Sequence, residues 1–195
     1  MDYQYRNEHH GDEIAPKDIA GFNAFPIDLS NPIIIDEDGL KVTAFKVTHE
    51  PVDPALGFRF DYKGRSIVIS GDTIYDKNLI KHAKDADVLF HEAQANHMVA
   101  VIENFALQNG AKLRAKLMAD IKTYHTTLIE AADIANKAGV KKLVFYHLTP
   151  APRNYLTELM FVRGVDEVRK DWLLAKDGTL LVLPVDSDEI IVSTM

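Results

Sequence analysis

The sequence predicts an α/β fold in a single domain of 195 residues. Two observations indicate it. The first half of the chain reads as consecutive β-hairpins, and the second half alternates buried strands with amphipathic helices. No internal repeat, low-complexity tract or linker-like segment interrupts this order. We therefore expect sheets with helices packed outside them.

The first part of the chain gives a loop and two hairpins. Residues 1–30 are polar and interrupted by Pro and Gly, so we expect a loop with at most one short element. Residues 33–36 and 40–48 read as strands with the turn signal Asp-Gly between them. The segments 57–62 and 65–70 form a second predicted hairpin around Lys-Gly.

The second part of the chain alternates helices and strands. Four segments have the apolar period of helices: 76–83, 96–122 with a break at Gly110, 128–138 and 154–170. Four others have the short apolar runs of strands: 87–91, 141–147, 179–184 and 189–192. Thr127 and Glu130 have the spacing of a capping box, and Gly139 is the expected end of the third helix.

The composition narrows the possible functions. The chain is 47% hydrophobic and 26% charged, as is usual for a globular protein. It has no cysteine, so any metal must be held by His, Asp, Glu or backbone atoms. The net charge of -7 argues against a surface that binds nucleic acid over the whole protein, though not against a local basic patch. With no apolar run that could cross a membrane and no signal-peptide core, we expect a cytoplasmic protein.

Ionisable side chains lie at the ends of four predicted strands. They are His49, Asp72, the pair His91-Glu92, and His147. A further histidine, His125, lies just before a helix. Ligands of α/β sheets bind where strands end, and two imidazoles with one carboxylate suit a divalent metal in a chain without thiols. Each residue alone is more often an ordinary polar side chain, but together they favour a metal site.

Five segments occur in a specific order between residues 47 and 150: VTHEP, ALGFRFDYKGRSIVISGDT, LFHEA, HTT and FYHLTP. They resemble the later motifs of the metallo-β-lactamase superfamily, nearest to its ribonuclease Z-like and arylsulfatase-like hydrolases. The resemblance implies an αββα sandwich with a dinuclear metal centre, usually zinc, along one edge. A metal-bound hydroxide would then attack a phosphorus, sulfur or carbonyl centre.

The resemblance also implies roles for individual residues. Asp72 matches the carboxylate that bridges both metals, His49 matches a ligand of the first metal, and His147 matches a ligand of the second.

Three further residues are candidates for catalytic roles. His125 matches the histidine that protonates the leaving oxygen, and Glu92 would orient His125. His91 would lie nearby, without an assigned step.

One family motif is absent from this sequence. The first half of the family's sandwich begins with His-x-His-x-Asp-His, and the eight histidines here, at 9, 10, 49, 82, 91, 97, 125 and 147, contain no such spacing. We therefore expect an N-terminally truncated sandwich: a single domain over residues 1–195 that corresponds to the C-terminal portion of such a hydrolase. We expect one zinc ion or none to bind tightly, weak catalysis, and self-association as a homo-oligomer that covers exposed apolar surface.

The substrate predicted at this point is a small ester, namely a phosphodiester, an aryl sulfate or a lactone. Ribonuclease Z proteins usually carry an RNA-gripping arm between the motifs that His49 and Asp72 match, and here the second hairpin fills that interval. The acidic net charge also makes nucleic acid an unlikely partner. Two alternatives stay open: a non-catalytic remnant that binds a partner, and a ribonuclease Z-type endonuclease that processes the 3′ end of transfer RNA.

Overall fold

The structure, a computed structural model, describes Glu8, residues 11–13 and residues 26–195. Most of the predicted N-terminal loop, including the His9-His10 pair, lies outside the described residues. The prediction of one domain over residues 1–195 therefore stays a prediction. In the part of the chain that is described, no helix is both long enough and apolar enough to cross a bilayer.

Seven strands of the described chain form one sheet, ordered as they occur in the sequence. They are β1 (Ile33–Glu37), β2 (Leu40–His49), β3 (Val52–Tyr62), β4 (Arg65–Ile69), β5 (Val88–Gln94), β6 (Lys142–Thr149) and β7 (Trp172–Leu174). Strands β1 to β4 pair antiparallel, and β4 to β7 pair parallel. A second sheet consists of the antiparallel pair β8 (Thr179–Val182) and β9 (Ile191–Thr194). The predicted α/β class is confirmed.

The helices follow the predicted order. They are α1 (Lys77–His82), α2 (Asn96–Gln108), α3 (Lys112–Ile121), α4 (Leu128–Ala138), α5 (Tyr155–Phe161) and α6 (Val165–Val168). The capping box of Thr127 and Glu130 is present at the start of α4, and Gly139 ends it in the left-handed region. The helix predicted over 154–170 is instead two short helices, because Gly164 between them has a φ of 86°.

The core lies between one face of the large sheet and the helices α1, α4, α5 and α6. Its sheet side includes Phe45, Val68, Leu89 and Phe145. Four alanines of α4 belong to the same cluster, and such small side chains let a helix lie close to a sheet. This packing holds the first turn of α4, and the loop before it, beside the carboxyl ends of β4 and β5.

Strand β3 begins earlier than the sequence predicts. The proline-rich stretch after His49 reads as a loop, but the strand starts at Val52, which pairs with His49. The register shifts between Val47 and His49, so Pro54 falls where the regular ladder is interrupted. The missing amide hydrogen of proline therefore costs no regular ladder bond, and pairing with β2 overrides the local signal.

A buried ion pair joins β4 to the start of β5. Arg65 donates from Nε to Asp87 Oδ2 at 3.1 Å, and both side chains are less than 10% exposed. Arg65 also donates to the backbone carbonyls of Pro184, Ser187 and Glu189. The segment between β8 and β9 is thereby fastened to the large sheet.

Candidate metal centre

Three side chains that could bind a metal converge where strands β4 to β6 end. Asp72, His125 and His147 each offer one ligand atom, and these atoms all lie within 4.8 Å of one another. Nδ1 of His147 is 3.5 Å from Oδ1 of Asp72. Asp72 and His125 are half-buried, and His147 is exposed. The group is therefore open on one side to a ligand.

Asp72 is held in place by the glycine before it. Gly71 has a φ of 64°, and a Cβ atom there would lie 2.3 Å from the carbonyl oxygen of Leu56. Only glycine can turn the chain so close to β3. Beyond Asp72, the amide of Ile74 donates to the carbonyl of Thr48 at 2.9 Å, which ties the loop to the end of β2.

His147 is the extra residue of a β-bulge rather than the last residue of its strand. Strand β6 continues to Thr149, and Glu92 pairs with Tyr146 while Ala93 pairs with Leu148. His147 is left unpaired with a φ of 45°. Bulges redirect side chains and are common beside functional sites. Here the bulge lies where the imidazole of His147 comes close to the carboxylate of Asp72.

Glu92 connects the loops that carry Asp72 and His125. It is fully buried, and its Oε1 accepts a hydrogen bond from His125 Nδ1 at 3.0 Å. The same oxygen accepts from the amides of Thr126 at 3.0 Å and Thr73 at 3.3 Å. This geometry suits the predicted orienting role of Glu92, which stays a prediction.

The surroundings of His125 favour its protonated form. Burial alone would lower the pKa of the imidazole, because it disfavours charge. The hydrogen bond to the Glu92 carboxylate and the negative charges of Glu92 and Asp72 oppose burial, and the pKa is raised from its ordinary value. His125 can therefore hold a proton where it faces the other two donors.

His49 lies at the edge of this group. Its Nδ1 is 2.7 Å from the carbonyl oxygen of Tyr124, which can only accept, so Nδ1 carries a hydrogen. In the neutral form of the ring, the lone pair is then on Nε2. Its ring centroid is 5.2 Å from that of His125. His49 thus neighbours the three side chains, although it is outside the group whose ligand atoms converge within 4.8 Å.

His91 is not brought to this group. It is fully buried, and its Nδ1 donates to the backbone carbonyl of Glu92 at 2.7 Å. Burial lowers its pKa, against the opposing effects of that carbonyl and of the Glu92 and Glu130 charges, so the ring is neutral. Neighbouring residues of a strand point to opposite faces, so His91 and Glu92 cannot both face the site. Any role of His91 stays a prediction.

Sequence reasoning missed the residues that support the site through their backbones. The amides of Thr73 and Thr126 bind Glu92, and Thr126 Oγ1 donates to the carbonyl of Thr73. Tyr124 contributes the carbonyl that fixes the His49 tautomer. The HTT motif marks Thr126, but a backbone contact leaves no signal in residue type.

The donor set fits a divalent metal ion. Zinc binds nitrogen and oxygen ligands at about 2.0–2.2 Å, so the ligands of one ion lie within a few ångströms of one another, as these three do. Two imidazoles and a carboxylate are also donors that zinc accepts. The ring of His49, whose centroid is 5.2 Å from that of His125, is a further imidazole beside this group.

Comparisons with known proteins identify the family. The sequence family described as "Beta-lactamase superfamily domain" matches residues 2–148. Ribonuclease Z of Mycobacterium avium (strain 104) is 35% identical over 152 residues, which cover 77% of this chain and 48% of that protein. Ribonuclease Z of Mycobacterium marinum is 34% identical over 150 residues, with the same coverage. The chain spans about half the length of these curated relatives.

A solved structure supports the fold. The metallo-beta-lactamase fold protein YhfI from Bacillus subtilis matches with a TM-score of 0.56 at 20% identity, covering 86% of this chain and 60% of that chain. The predicted metallo-β-lactamase-like fold class is confirmed.

The predicted partners are wrong. The prediction of a small ester substrate, with nucleic acid unlikely, conflicts with the matched relatives, which are ribonucleases by name. Net charge was a poor guide, because it sums the whole chain whereas a substrate meets only the surface around the site. The short interval between His49 and Asp72 excludes an arm at that place but not RNA. The match over residues 2–148, the fold and the converging donors agree, and the chain belongs to the metallo-β-lactamase superfamily.

Proposed function

We propose that this chain carries part of the active site of a ribonuclease Z-type enzyme, which cleaves a phosphodiester bond of precursor transfer RNA with the help of a bound metal. The observation that carries this proposal is a convergence of side chains within 4.8 Å. It brings two candidate metal ligands, Asp72 and His147, next to His125, the candidate proton donor. The similarity to ribonuclease Z of two mycobacteria supports RNA as the substrate class.

The metal would be held by Asp72 and His147, with Nε2 of His49 as a third donor. Zinc is the typical ion of this fold. When bound, the metal supplies a Lewis acid that stabilises negative charge developing on the phosphate. Asp72 is the residue that a metal site here depends on most, because it is the one carboxylate among the three converging donors.

His125 is the proposed proton donor. Its Nδ1 is engaged by Glu92, which fixes the orientation of the ring and leaves Nε2 for the substrate. The hydrogen bond to the Glu92 carboxylate opposes the effect of burial on the pKa of His125, which supports this ring as the donor of a proton to the leaving oxygen. A protonated imidazole cannot bind a metal, which separates the role of His125 from that of His147.

The test is cleavage of a 3′-extended precursor transfer RNA by the purified chain. We expect slow cleavage that EDTA abolishes and added zinc restores. Asp72→Asn and His125→Gln should remove the activity. His97→Gln, at an exposed histidine whose Nε2 hydrogen-bonds the Met160 carbonyl, should retain it. A folded, zinc-treated chain that leaves the RNA intact would contradict the proposal, as would hydrolysis of bis(p-nitrophenyl) phosphate without action on RNA.

A further inference from the structure

A cavity beside His147 extends along the end of β6 to α5, β7 and the residues after β7. Its volume is about 740 Å³, within the roughly 300–1,000 Å³ of small-molecule sites. His147 belongs both to the lining of this cavity and to the converging donors. A molecule bound in the cavity would therefore lie next to the proposed reacting centre.

The walls of the cavity combine apolar side chains with an aromatic ring. Leu148, Pro152 and Leu174 give the apolar part, and Tyr146 adds a half-buried phenol ring. Nucleic-acid bases pack on such surfaces, and this stacking tolerates any base because each has a planar face. The walls thus suit the base and ribose of a nucleotide.

Two cationic side chains, Arg153 and Lys176, line the cavity, and they differ in whether another protein group already neutralises their charge. Nζ of Lys176 lies 2.7 Å from Oε1 of Glu158, so this pair is internally neutralised. The guanidinium of Arg153 has no partner among the residues that the structure describes. Asp177, the remaining carboxylate of the lining, is exposed, where water and salt screen its charge. Arginine binds phosphate through paired N–H groups, so Arg153 is the available phosphate-binding group.

We propose that this cavity binds one nucleotide of the RNA beside the scissile phosphodiester. The base and ribose pack against Tyr146 and the apolar walls, and a phosphate pairs with Arg153. Arg153 thereby positions the RNA and takes no part in breaking the bond. This inference rests on the proposed function, since it names the part of the substrate that the neighbouring cavity receives.

The test is an NMR titration of the whole chain in EDTA with cytidine 5′-monophosphate, cytidine and inorganic phosphate. EDTA removes metal, so a phosphate cannot bind through an ion. We expect both cytidine compounds to shift the amide signals of Tyr146 and Leu148. Arg153→Gln should weaken binding of the monophosphate about tenfold and leave cytidine binding unchanged.

The matched control is Arg163→Gln, because Arg163 is exposed and lies outside the cavity lining. Arg163→Gln should change neither the affinity for cytidine 5′-monophosphate nor the affinity for cytidine. The inference would be overturned if Arg153→Gln and Arg163→Gln weakened binding of the monophosphate equally. It would also be overturned if the amide shifts were confined to other parts of the chain, or if millimolar ligand caused no shifts.

RNA cleavage separates this inference from the proposed function. Cleavage by Arg153→Gln with an unchanged KM would overturn the cavity assignment and leave the proposed function intact. Binding of the monophosphate in the cavity by a chain that never cleaves RNA would contradict the proposed function and leave the nucleotide site standing.

Discussion

Nδ1 of His125 lies 3.0 Å from Oε1 of Glu92, a carboxylate that is fully buried beneath the donors. A buried carboxylate is costly unless it is hydrogen-bonded, and Glu92 receives two backbone amides besides the imidazole. The orientation of His125 is therefore set by groups that are themselves fixed in the core.

Replacing Glu92 by glutamine keeps an acceptor for these donors and removes the charge. We expect the pKa of His125 to fall, because burial lowers it and the largest opposing effects, the hydrogen bond to the Glu92 carboxylate and its charge, would be lost. An NMR pH titration of the His125 ring measures this directly. RNA cleavage should drop by about ten- to a hundredfold, as is usual for the loss of a group that orients a ligand or catalytic residue.

The control for that experiment is Glu103→Gln, which removes a carboxylate paired with Lys122 on the helical hairpin of α2 and α3. It should leave the His125 titration unchanged. An unaltered His125 pKa in Glu92→Gln would show that Glu92 does not govern the imidazole.

Metal binding should depend on Asp72 and His147. Calorimetric titration with zinc should show affinity reduced by more than about tenfold in Asp72→Ala and in His147→Ala, because each change removes a ligand atom. His97→Ala removes a histidine elsewhere and should bind zinc as the unaltered chain does. Equal zinc binding by all three variants would place the ion at another site.

Gly71→Ala should destabilise the chain by about 2 kcal/mol or more, since it adds both a left-handed alanine and a contact with the Leu56 carbonyl. Gly64→Ala is the matched comparison, because Gly64 has a φ of 80° with open space around it. That variant should lose only about 1 kcal/mol. Urea unfolding of the two variants measures the difference, and equal losses would show that the Leu56 contact is relieved by movement.

The Arg65–Asp87 pair should make stability depend on acid pH. Burial opposes the charge of Asp87, but hydrogen bonds from Ser66, Lys141 and Arg65 outweigh it, and the pKa of Asp87 is lowered. As the pH falls, Asp87 therefore becomes protonated at a higher pH in the unfolded chain than in the folded chain. The stabilisation is complete above the unfolded pKa of about 3.9 and is lost as pH falls towards the folded value.

Asp87→Asn should cost roughly 3 kcal/mol at pH 7, because it leaves the Arg65 charge buried without its partner. Its loss of stability between pH 7 and acid pH should be smaller than that of the unaltered chain. Asp188→Asn, at an aspartate whose side chain is 94% exposed, should change little. Urea midpoints at several pH values provide the measurement, and parallel pH curves for Asp87→Asn and the unaltered chain would contradict the assignment.

Local signals were sufficient for most elements of the fold. The capping box at Thr127, the helix end at Gly139 and the Asp-Gly turn are encoded in a few neighbouring residues, and each occurs where the sequence predicts it. Two features depended on partners distant in sequence. Pairing with β2 extended β3 through a proline, and strand β7 is three residues long, too short to show a period.

The site was predictable to the extent that it follows from topology. Parallel strands end at one edge of a sheet, so Asp72 after β4 and His147 in β6 were expected near each other. His125 was a weaker candidate on topology alone, because its loop precedes a helix, and its role as a proton donor came only from the resemblance. The cavity around Arg153 was not predictable, since its walls come from three elements whose contacts no local pattern specifies.

His147 is the extra residue of a bulge, so the pairing of strands β5 and β6 does not depend on it. Because Tyr146 and Leu148 already pair with the consecutive residues Glu92 and Ala93, deleting residue 147 would restore an uninterrupted ladder. A single-codon deletion could thus erase a candidate ligand while regularising the strand, and a single-codon insertion could create one. Relatives of this chain could gain or lose that ligand in evolution without rebuilding the scaffold.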